Sequence, residues 1–221
     1  MKHSWSSAGL VGMYRCVATS IEGFVQQVAC SYLVNGYVFY VRGAVPEGKA
    51  PESVDAKLIE KYSVDRSKWG RSVDAEGGVA RMQYIRHEGT FLLMATHGKH
   101  HFFDEEKDSI RDARKVPIRF AGYSMSYRRG PDGKYHPHVR IEREQLALLK
   151  QHFRQLALRP STEWIARELA DLPFEPYAPV RRQLLELLRA VNRLRTQQAY
   201  PQIPYKVLRF RRRVVRPFHP A

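Results

Sequence analysis

Two histidines separated by one residue, His136 and His138, have the types and spacing that could do chemistry. They lie in the segment GKYHPHVRIE, where Val139 and Ile141 follow in alternation with polar residues. Alternate side chains of a β-strand point to the same side, so both imidazoles would project from the face opposite the two apolar residues. Imidazole is a common ligand of divalent metal ions. The pair therefore predicts either a metal site or two surface histidines at the edge of a strand.

This pattern resembles the ligand pair of the HUH nucleases, the replication and relaxase enzymes that hold a divalent ion beside a tyrosine nucleophile. The resemblance implies Mg²⁺ or Mn²⁺ as a cofactor, His136 and His138 as its ligands, and strand nicking as the activity. The helix predicted over 144–158 contains no tyrosine, which leaves Tyr177 as the candidate catalytic residue. Pro137 between the histidines favours a strand edge or a strand start. Surface histidines near a turn are our main interpretation, and a nicking enzyme is the alternative.

A second group of histidines and carboxylates lies in THGKHHFFDEE, over residues 96–106. Adjacent side chains such as His100 and His101 do not easily share one ion, and no cysteine completes a zinc pattern. The segment instead predicts a polar loop that leads into a helix with an acidic first turn, which suits the helix dipole.

Net charge is the most informative bulk property of the chain. Its 221 residues include 37 Lys and Arg against 22 Asp and Glu, a net charge of +15. Residues 146–221 carry 15 basic and 5 acidic residues, so a net +10 of this excess lies in the last third. Clustered arginine is typical of proteins that bind a polyphosphate, because neutralised phosphates release condensed counterions. We expect DNA or RNA as the partner, and docking on an acidic protein surface as a second alternative.

The segment over 179–198 is predicted to be an amphipathic helix, with apolar residues from Val180 to Leu194 on one face. Arg182, Arg189 and Arg193 fall on the opposite side, in a line of about 16 Å at ~1.5 Å rise per residue. Such a stripe matches the reach of a few successive phosphates of a nucleic acid.

The tail VLRFRRRVVR, over 207–216, alternates apolar and basic residues. In a strand-like conformation its apolar residues share one face and Arg209, Arg211 and Arg213 the other. This alternation predicts that the tail docks through Leu208, Phe210 and Val214. The candidate nucleic-acid-binding residues are Arg181, Arg182, Arg189, Arg193, Arg209, Arg211, Arg212 and Arg213.

The segment NGYVFYVRG, over 35–43, resembles the RNP1 strand of RRM proteins in Gly36, Tyr37 and Phe39. In that family the aromatic residues stack on unpaired bases. Alternation of the same residues predicts that Tyr37, Phe39 and Val41 face the core instead, and we prefer this interpretation.

A predicted strand over 12–19, a helix that begins after the N-cap Ser20, and a strand over 37–45 form a βαβ unit with parallel strands. The other predicted elements are a helix over 52–61, a polar loop over 63–78, strand pairs 79–87 with 90–96 and 116–127 with 135–142, and helices over 144–158 and 161–171. We predict an α+β protein, with a strand-rich domain of residues 1–143 followed by a helical, Arg-rich region of residues 144–221.

The cysteines and the hydropathy pattern limit the classes of protein to which this chain can belong. Cys16 and Cys30 form neither a disulfide framework nor a zinc motif, and both are predicted to be buried thiols. No window approaches the ~20 apolar residues of a membrane span. We expect a cytoplasmic protein that binds rather than catalyses, needs no cofactor, and belongs to a nucleoprotein complex with other protein subunits, such as a mobile-element, replication or defence machine.

Overall fold

Strands in two antiparallel sheets and helices that cover them form an α+β fold in a computed structural model, which describes residues 14–218. The strands are β1 (Phe39–Ala44), β2 (Met82–His87), β3 (Thr90–Ala95), β4 (Arg111–Asp112), β5 (Ile118–Phe120), β6 (Tyr123–Arg129) and β7 (Tyr135–Ile141). The α-helices are α1 (Ile21–Gln27), α2 (Pro51–Lys61), α3 (Lys68–Glu76), α4 (Phe102–Glu105), α5 (Arg143–Ala157), α6 (Glu163–Ala170) and α7 (Ala178–Gln197). A π-helical turn over Val28–Tyr32 follows α1, and a 3₁₀ turn covers Tyr205–Val207. No helix within 14–218 is both long and apolar enough to cross a membrane.

The first sheet has the strand order β2-β3-β1-β4, and both of its faces are buried. Tyr40 and Met94 are opposite each other on the face that packs towards α1, while Phe39 and Ala95 lie on the face covered by α2 and α4. Tyr37 is also buried. The core-facing interpretation is therefore confirmed for Tyr37, while Phe39 and Val41 are half-buried and pack against the second apolar cluster.

The predicted βαβ unit is present with two other strands between its parallel segments. Val17 forms a parallel bridge with Arg86 of β2, fixed by hydrogen bonds from Ala18 N–H to the Arg86 carbonyl (2.7 Å) and from Arg86 N–H to the Cys16 carbonyl (2.8 Å). Because β1 and β2 are both antiparallel to β3, this first segment runs parallel to β1. It forms isolated bridges and not the predicted full strand, and residues 12–13 of that prediction lie outside the described range.

The second sheet, β5-β6-β7, corrects one predicted strand. The segment 116–127 is not continuous, because a two-residue turn at Ala121 and Gly122 places Phe120 opposite Tyr123. Both turn residues have positive φ, 45° and 78°, which is the geometry of a tight hairpin turn that glycine adopts readily. The following hairpin of β6 and β7 is confirmed, and it sets His138 directly opposite Ser126.

The helices after residue 143 and helix α2 lie where they were predicted, but the polar loop predicted over 63–78 is wrong. Residues Lys68–Glu76 form helix α3, and the Ser67 hydroxyl accepts a hydrogen bond from Gly70 N–H at 3.0 Å. A serine that caps the first turn in this way is a recognised helix start signal. Ser67 is therefore the residue in the sequence that indicates the start of α3.

Helix α7 is fixed to the edge strand β7 through one side chain. The Gln183 carboxamide accepts from Ile141 N–H at 2.8 Å and donates to the Ile141 carbonyl at 3.0 Å, and it replaces the strand partner that an edge strand lacks. One buried cluster also joins Val139 of β7, Phe153 of α5 and Leu188 of α7. The boundary predicted near Arg143 falls between β7 and α5, and the division into two domains stays a prediction.

Candidate nucleic-acid interface

Several arginines of the C-terminal region hold the fold together. Arg195 is fully buried and donates to the backbone carbonyls of Arg159, Pro160 and Pro201 at 2.6 to 2.9 Å. Arg181, a predicted interface residue, donates to the carbonyl of Pro176 at 2.8 Å. Since these guanidinium groups are already engaged inside the protein, the number of arginines in the sequence overstates the charge available to a partner.

The tail docks as predicted, but with a different set of residues turned inward. Leu208 is buried, whereas Phe210 and Val214 are 45% and 82% exposed. Arg209 instead contacts the buried carboxylate of Glu175 at 3.4 Å and the carbonyl of Leu172 at 3.0 Å. A buried carboxylate requires a hydrogen-bonded partner, and this requirement outweighs the alternation of the sequence.

Arg212 is also part of the internal packing. Its guanidinium lies 4.9 Å from the centre of the Tyr177 ring, donates to the Tyr177 hydroxyl at 3.2 Å, and approaches the Cys30 sulfur at 3.1 Å. Cys30 is exposed, so its predicted burial is wrong, whereas Cys16 is buried as predicted. Of the tail arginines that were predicted to bind a partner, Arg211 and Arg213 have exposed side chains.

The stripe predicted on α7 is the part of the candidate interface that faces solvent. Arg182, Arg189 and Arg193 are exposed, and Arg189 and Arg193 line a groove of about 600 Å³ between α5 and α7. Lys150 and Arg154 of α5 line the opposite side of the groove, four residues apart and on one helix face. Sequence analysis missed these two cations, although their spacing marks a common face once α5 is recognised as a helix.

The polar face of the second sheet continues this positive charge. Arg128 of β6 is exposed and Arg140 of β7 is half-buried, and both lie near Arg182 through their common neighbour His138. We call the combined set the basic surface; its members are Arg128, Arg140, Lys150, Arg154, Arg182, Arg189 and Arg193. Within residues 14–218 none of the seven forms an ion pair, whereas Arg86, Arg114, Arg119 and Arg209 each contact a carboxylate.

The two histidines of the opening motif have different surroundings. His136 Nε2 lies 2.8 Å from the carboxylate of Asp132 in the hairpin turn. His138 is partly buried, and its Nδ1 is shielded from solvent without a hydrogen-bond partner among the described residues. Burial lowers the pKa of His138, and the nearby charges of Arg128, Arg140 and Arg182 lower it further. Positive charge that disfavours a proton on this imidazole equally disfavours a divalent cation beside it.

The candidate nucleophile Tyr177 is engaged with a residue of the tail. The Tyr177 hydroxyl accepts its hydrogen bond from Arg212, and burial raises the pKa of the phenol to about 12. Across the described part of the chain, no group of three or more His, Cys, Asp or Glu residues is arranged to hold a metal ion. No hydrogen bond joins Tyr177 to His136 or His138 among the described residues, and the nicking alternative stays a prediction.

The second histidine group packs around Tyr62. The His101 Nε2 contacts the Lys61 carbonyl at 2.9 Å, its ring stacks on Tyr62 at 5.5 Å, and Glu105 pairs with Lys61 at 2.7 Å. The chain then enters α4, as the loop-to-helix prediction stated. These side chains connect α2 to α4 and are engaged in structural contacts.

Two comparisons with known proteins found no relative of this chain. No protein-family model matches it, and a search of the curated proteins found no match. The placement of charge and hydrogen-bonding groups described above is therefore the basis of the functional inference.

We expect no covalent adduct when the protein is incubated with labelled single-stranded DNA and Mn²⁺. The phenol of Tyr177 is protonated at neutral pH, since its pKa is about 12, and three arginines repel a cation from His138. Denaturing gel electrophoresis of the labelled DNA is the measurement, with a Tyr177→Phe variant as the matched control. An adduct that forms with the unmodified protein and disappears in this variant would establish the nicking alternative instead.

Proposed function

We propose that this protein binds the phosphate backbone of a nucleic acid along the basic surface. The observation that carries the proposal is that seven cations make no ion pair among the described side chains: four line the groove between α5 and α7, which Glu186 also lines, and three surround His138. Adjacent like charges repel each other and reduce the stability of the folded state. An anionic partner would offset this repulsion. Binding of such a partner would explain why these cations have no carboxylate partners within residues 14–218.

A polyphosphate fits this arrangement better than a carboxylate-rich protein does. Six of the seven cations are arginines, and a guanidinium makes two parallel hydrogen bonds to a phosphate. The stripe from Arg182 to Arg193 extends about 16 Å, which faces about five phosphates of one strand at ~3.4 Å each. Regular repetition of charge over this distance is a property of nucleic acids.

Backbone contacts position a protein on nucleic acid without reading its sequence. We therefore propose that the protein acts as a cytoplasmic subunit of a nucleoprotein complex, such as a mobile-element, replication or defence machine, in which other subunits supply specificity. Purification of the native complex, followed by nuclease digestion and sequencing of the bound nucleic acid, identifies DNA or RNA as the partner. Native material that carries no nucleic acid would contradict this role.

We expect the affinity for mixed-sequence oligonucleotides to fall steeply with salt. With about five phosphate contacts, the association constant drops roughly 100-fold to 500-fold between about 50 and about 200 mM salt, the smaller value for single strands. Fluorescence anisotropy of labelled single-stranded and duplex DNA and RNA measures this slope. The proposal fails if affinity is insensitive to salt, and equally tight binding of polyglutamate at matched charge would favour the acidic-protein alternative.

A further inference from the structure

At one end of the basic surface, several polar side chains surround His138. Non-specific contact with the phosphate backbone of a nucleic acid does not require such a cluster. Side chains of directly opposite residues in an antiparallel pair lie on the same face, so His138 and Ser126 are neighbours. Arg140 is two residues further along β7 on this face, about 7 Å away. Arg128 Nε donates to the Ser126 hydroxyl at 3.0 Å, which holds its guanidinium next to the imidazole.

Helix α7 supplies a third guanidinium from another direction. Gln183 is bonded to both backbone polar groups of Ile141, and this fixes the first turns of α7 against β7. Arg182, the residue before it, is exposed and close enough for its charge to act on His138. The charges of three arginines from β6, β7 and α7 thus act on one imidazole, and the carboxylate of Asp132 pairs with His136.

His138 also has an unused hydrogen-bonding atom in this cluster. Its Nδ1 is the one buried side-chain nitrogen or oxygen of the described residues that makes no hydrogen bond. A buried polar atom without a partner is rare in folded proteins and costs free energy until a ligand or water supplies that partner. A bound ligand that reaches this nitrogen would supply the missing partner.

We propose that His138, Ser126, Arg128, Arg140 and Arg182 form a pocket for one phosphoryl group. A phosphoryl group presents several oxygens in different directions, which suits three guanidinium groups that approach from three elements. A planar carboxylate needs only one guanidinium group for its two oxygens, and the positive charge of the arginines repels a metal cation. The pocket deepens the proposed function and rests on it, since it assigns one phosphate of the bound nucleic acid to a defined site.

Binding of an anion here is coupled to protonation of the imidazole. In the free protein the pKa of His138 lies below its ordinary value, because of burial first and then the three arginines. A bound phosphoryl group offsets the repulsion from Arg128, Arg140 and Arg182, so it raises this pKa and binding takes up a proton. Affinity at the pocket accordingly increases as pH falls, first through the higher pKa of the bound state and then through the lower pKa of the free state.

The test is an NMR titration of the full chain with ¹³C- and ¹⁵N-labelled histidine. We expect inorganic phosphate to raise the pKa of His138 and to leave the resonances of His152, an exposed histidine of α5 that pairs with Glu168, unchanged at constant pH. A single-stranded oligonucleotide with a 5′-phosphate and the same one with a 5′-hydroxyl then distinguish the source of the group. A larger shift with the 5′-phosphate assigns a strand end, and equal shifts assign an internal phosphodiester. If His138 titrates identically with and without all three probes, the pocket does not exist.

Variants separate the pocket from the rest of the basic surface. Arg140→Gln is expected to weaken the phosphate-dependent shift of His138 about tenfold, as measured by the phosphate concentration at half-effect, because it removes a charge-assisted contact. The matched control His152→Gln should leave this concentration unchanged. Salt-dependent oligonucleotide binding without any response of His138 would refute the pocket alone. A response of His138 to phosphate in a protein that binds no oligonucleotide would refute the proposed function, and with it the assignment of this phosphate to a nucleic acid.

Discussion

Replacement of Asp55 by alanine is expected to destabilise the fold by about 3–5 kcal/mol, because it leaves a buried guanidinium without its counter-charge. Asp55 of α2 is buried against β2, where its carboxylate accepts two hydrogen bonds from Arg86 at 2.8 Å and one from the Tyr84 hydroxyl at 2.6 Å. Burial and the Asp55 carboxylate raise the pKa of Tyr84 well above its ordinary value, which keeps the phenol a hydrogen-bond donor. Loss of the carboxylate removes all of these bonds at once, together with a further contact of Arg86 Nε at 3.0 Å.

The measurement is urea unfolding followed by circular dichroism, and Glu52→Ala is the matched control. Glu52 lies 3.5 Å from the same guanidinium, but its side chain is 79% exposed, so its removal is expected to cost less than about 1 kcal/mol. Since typical domains have a total stability of about 5–15 kcal/mol, the Asp55→Ala variant will be partly unfolded at moderate urea. Equal effects of the two substitutions would show that the network contributes no more than a surface ion pair.

Replacement of Arg182, Arg189 and Arg193 together by glutamine is expected to reduce nucleic-acid affinity about 100-fold, because each exposed charged contact contributes about 1 kcal/mol. The magnitude of the salt slope for duplex should fall by about 3, one unit for each lost phosphate contact. All three side chains are exposed and unpaired, so stability should change little. Anisotropy titrations at several salt concentrations measure both quantities.

The control for this variant removes the same charge elsewhere. Lys49, Lys57 and Lys107 are exposed cations outside the basic surface, and their combined replacement by glutamine leaves the α7 stripe intact. We expect this control to bind with nearly the affinity and salt slope of the unmodified protein. If both triple variants lose the same affinity, then net charge and not the arrangement on α7 governs binding, and the proposed interface is wrong.

Local patterns in the sequence predicted the elements better than they predicted the roles of the charged residues. The apolar spacing from Val180 to Leu194 places α7 within one residue of its observed bounds, because a helix face is a local property. Whether an arginine on such a segment is free depends on groups that are distant in sequence. Arg209 turns inward because Glu175 is buried nearby, and Arg195 because it meets carbonyls from two loops.

The candidate site shows the same division between local and distant information. Alternation along β7 correctly placed His136, His138 and Arg140 on one face, and the hairpin register adds Arg128 across the strand pair. Arg182 reaches His138 only through the packing of α7 on β7, which no local pattern encodes. The same two histidines that suggested a cation site in the sequence therefore lie, in the folded protein, in surroundings that suit an anion.

The path of the docked tail has a consequence for the first sheet. Phe218 forms an antiparallel bridge with Ala18, and Thr19 N–H donates to the Pro217 carbonyl at 2.9 Å. Val17, the neighbour of Ala18, forms the parallel bridge with Arg86 of β2. The tail and the first sheet therefore share one short segment, so release of the tail is expected to weaken the pairing of this segment with β2 as well.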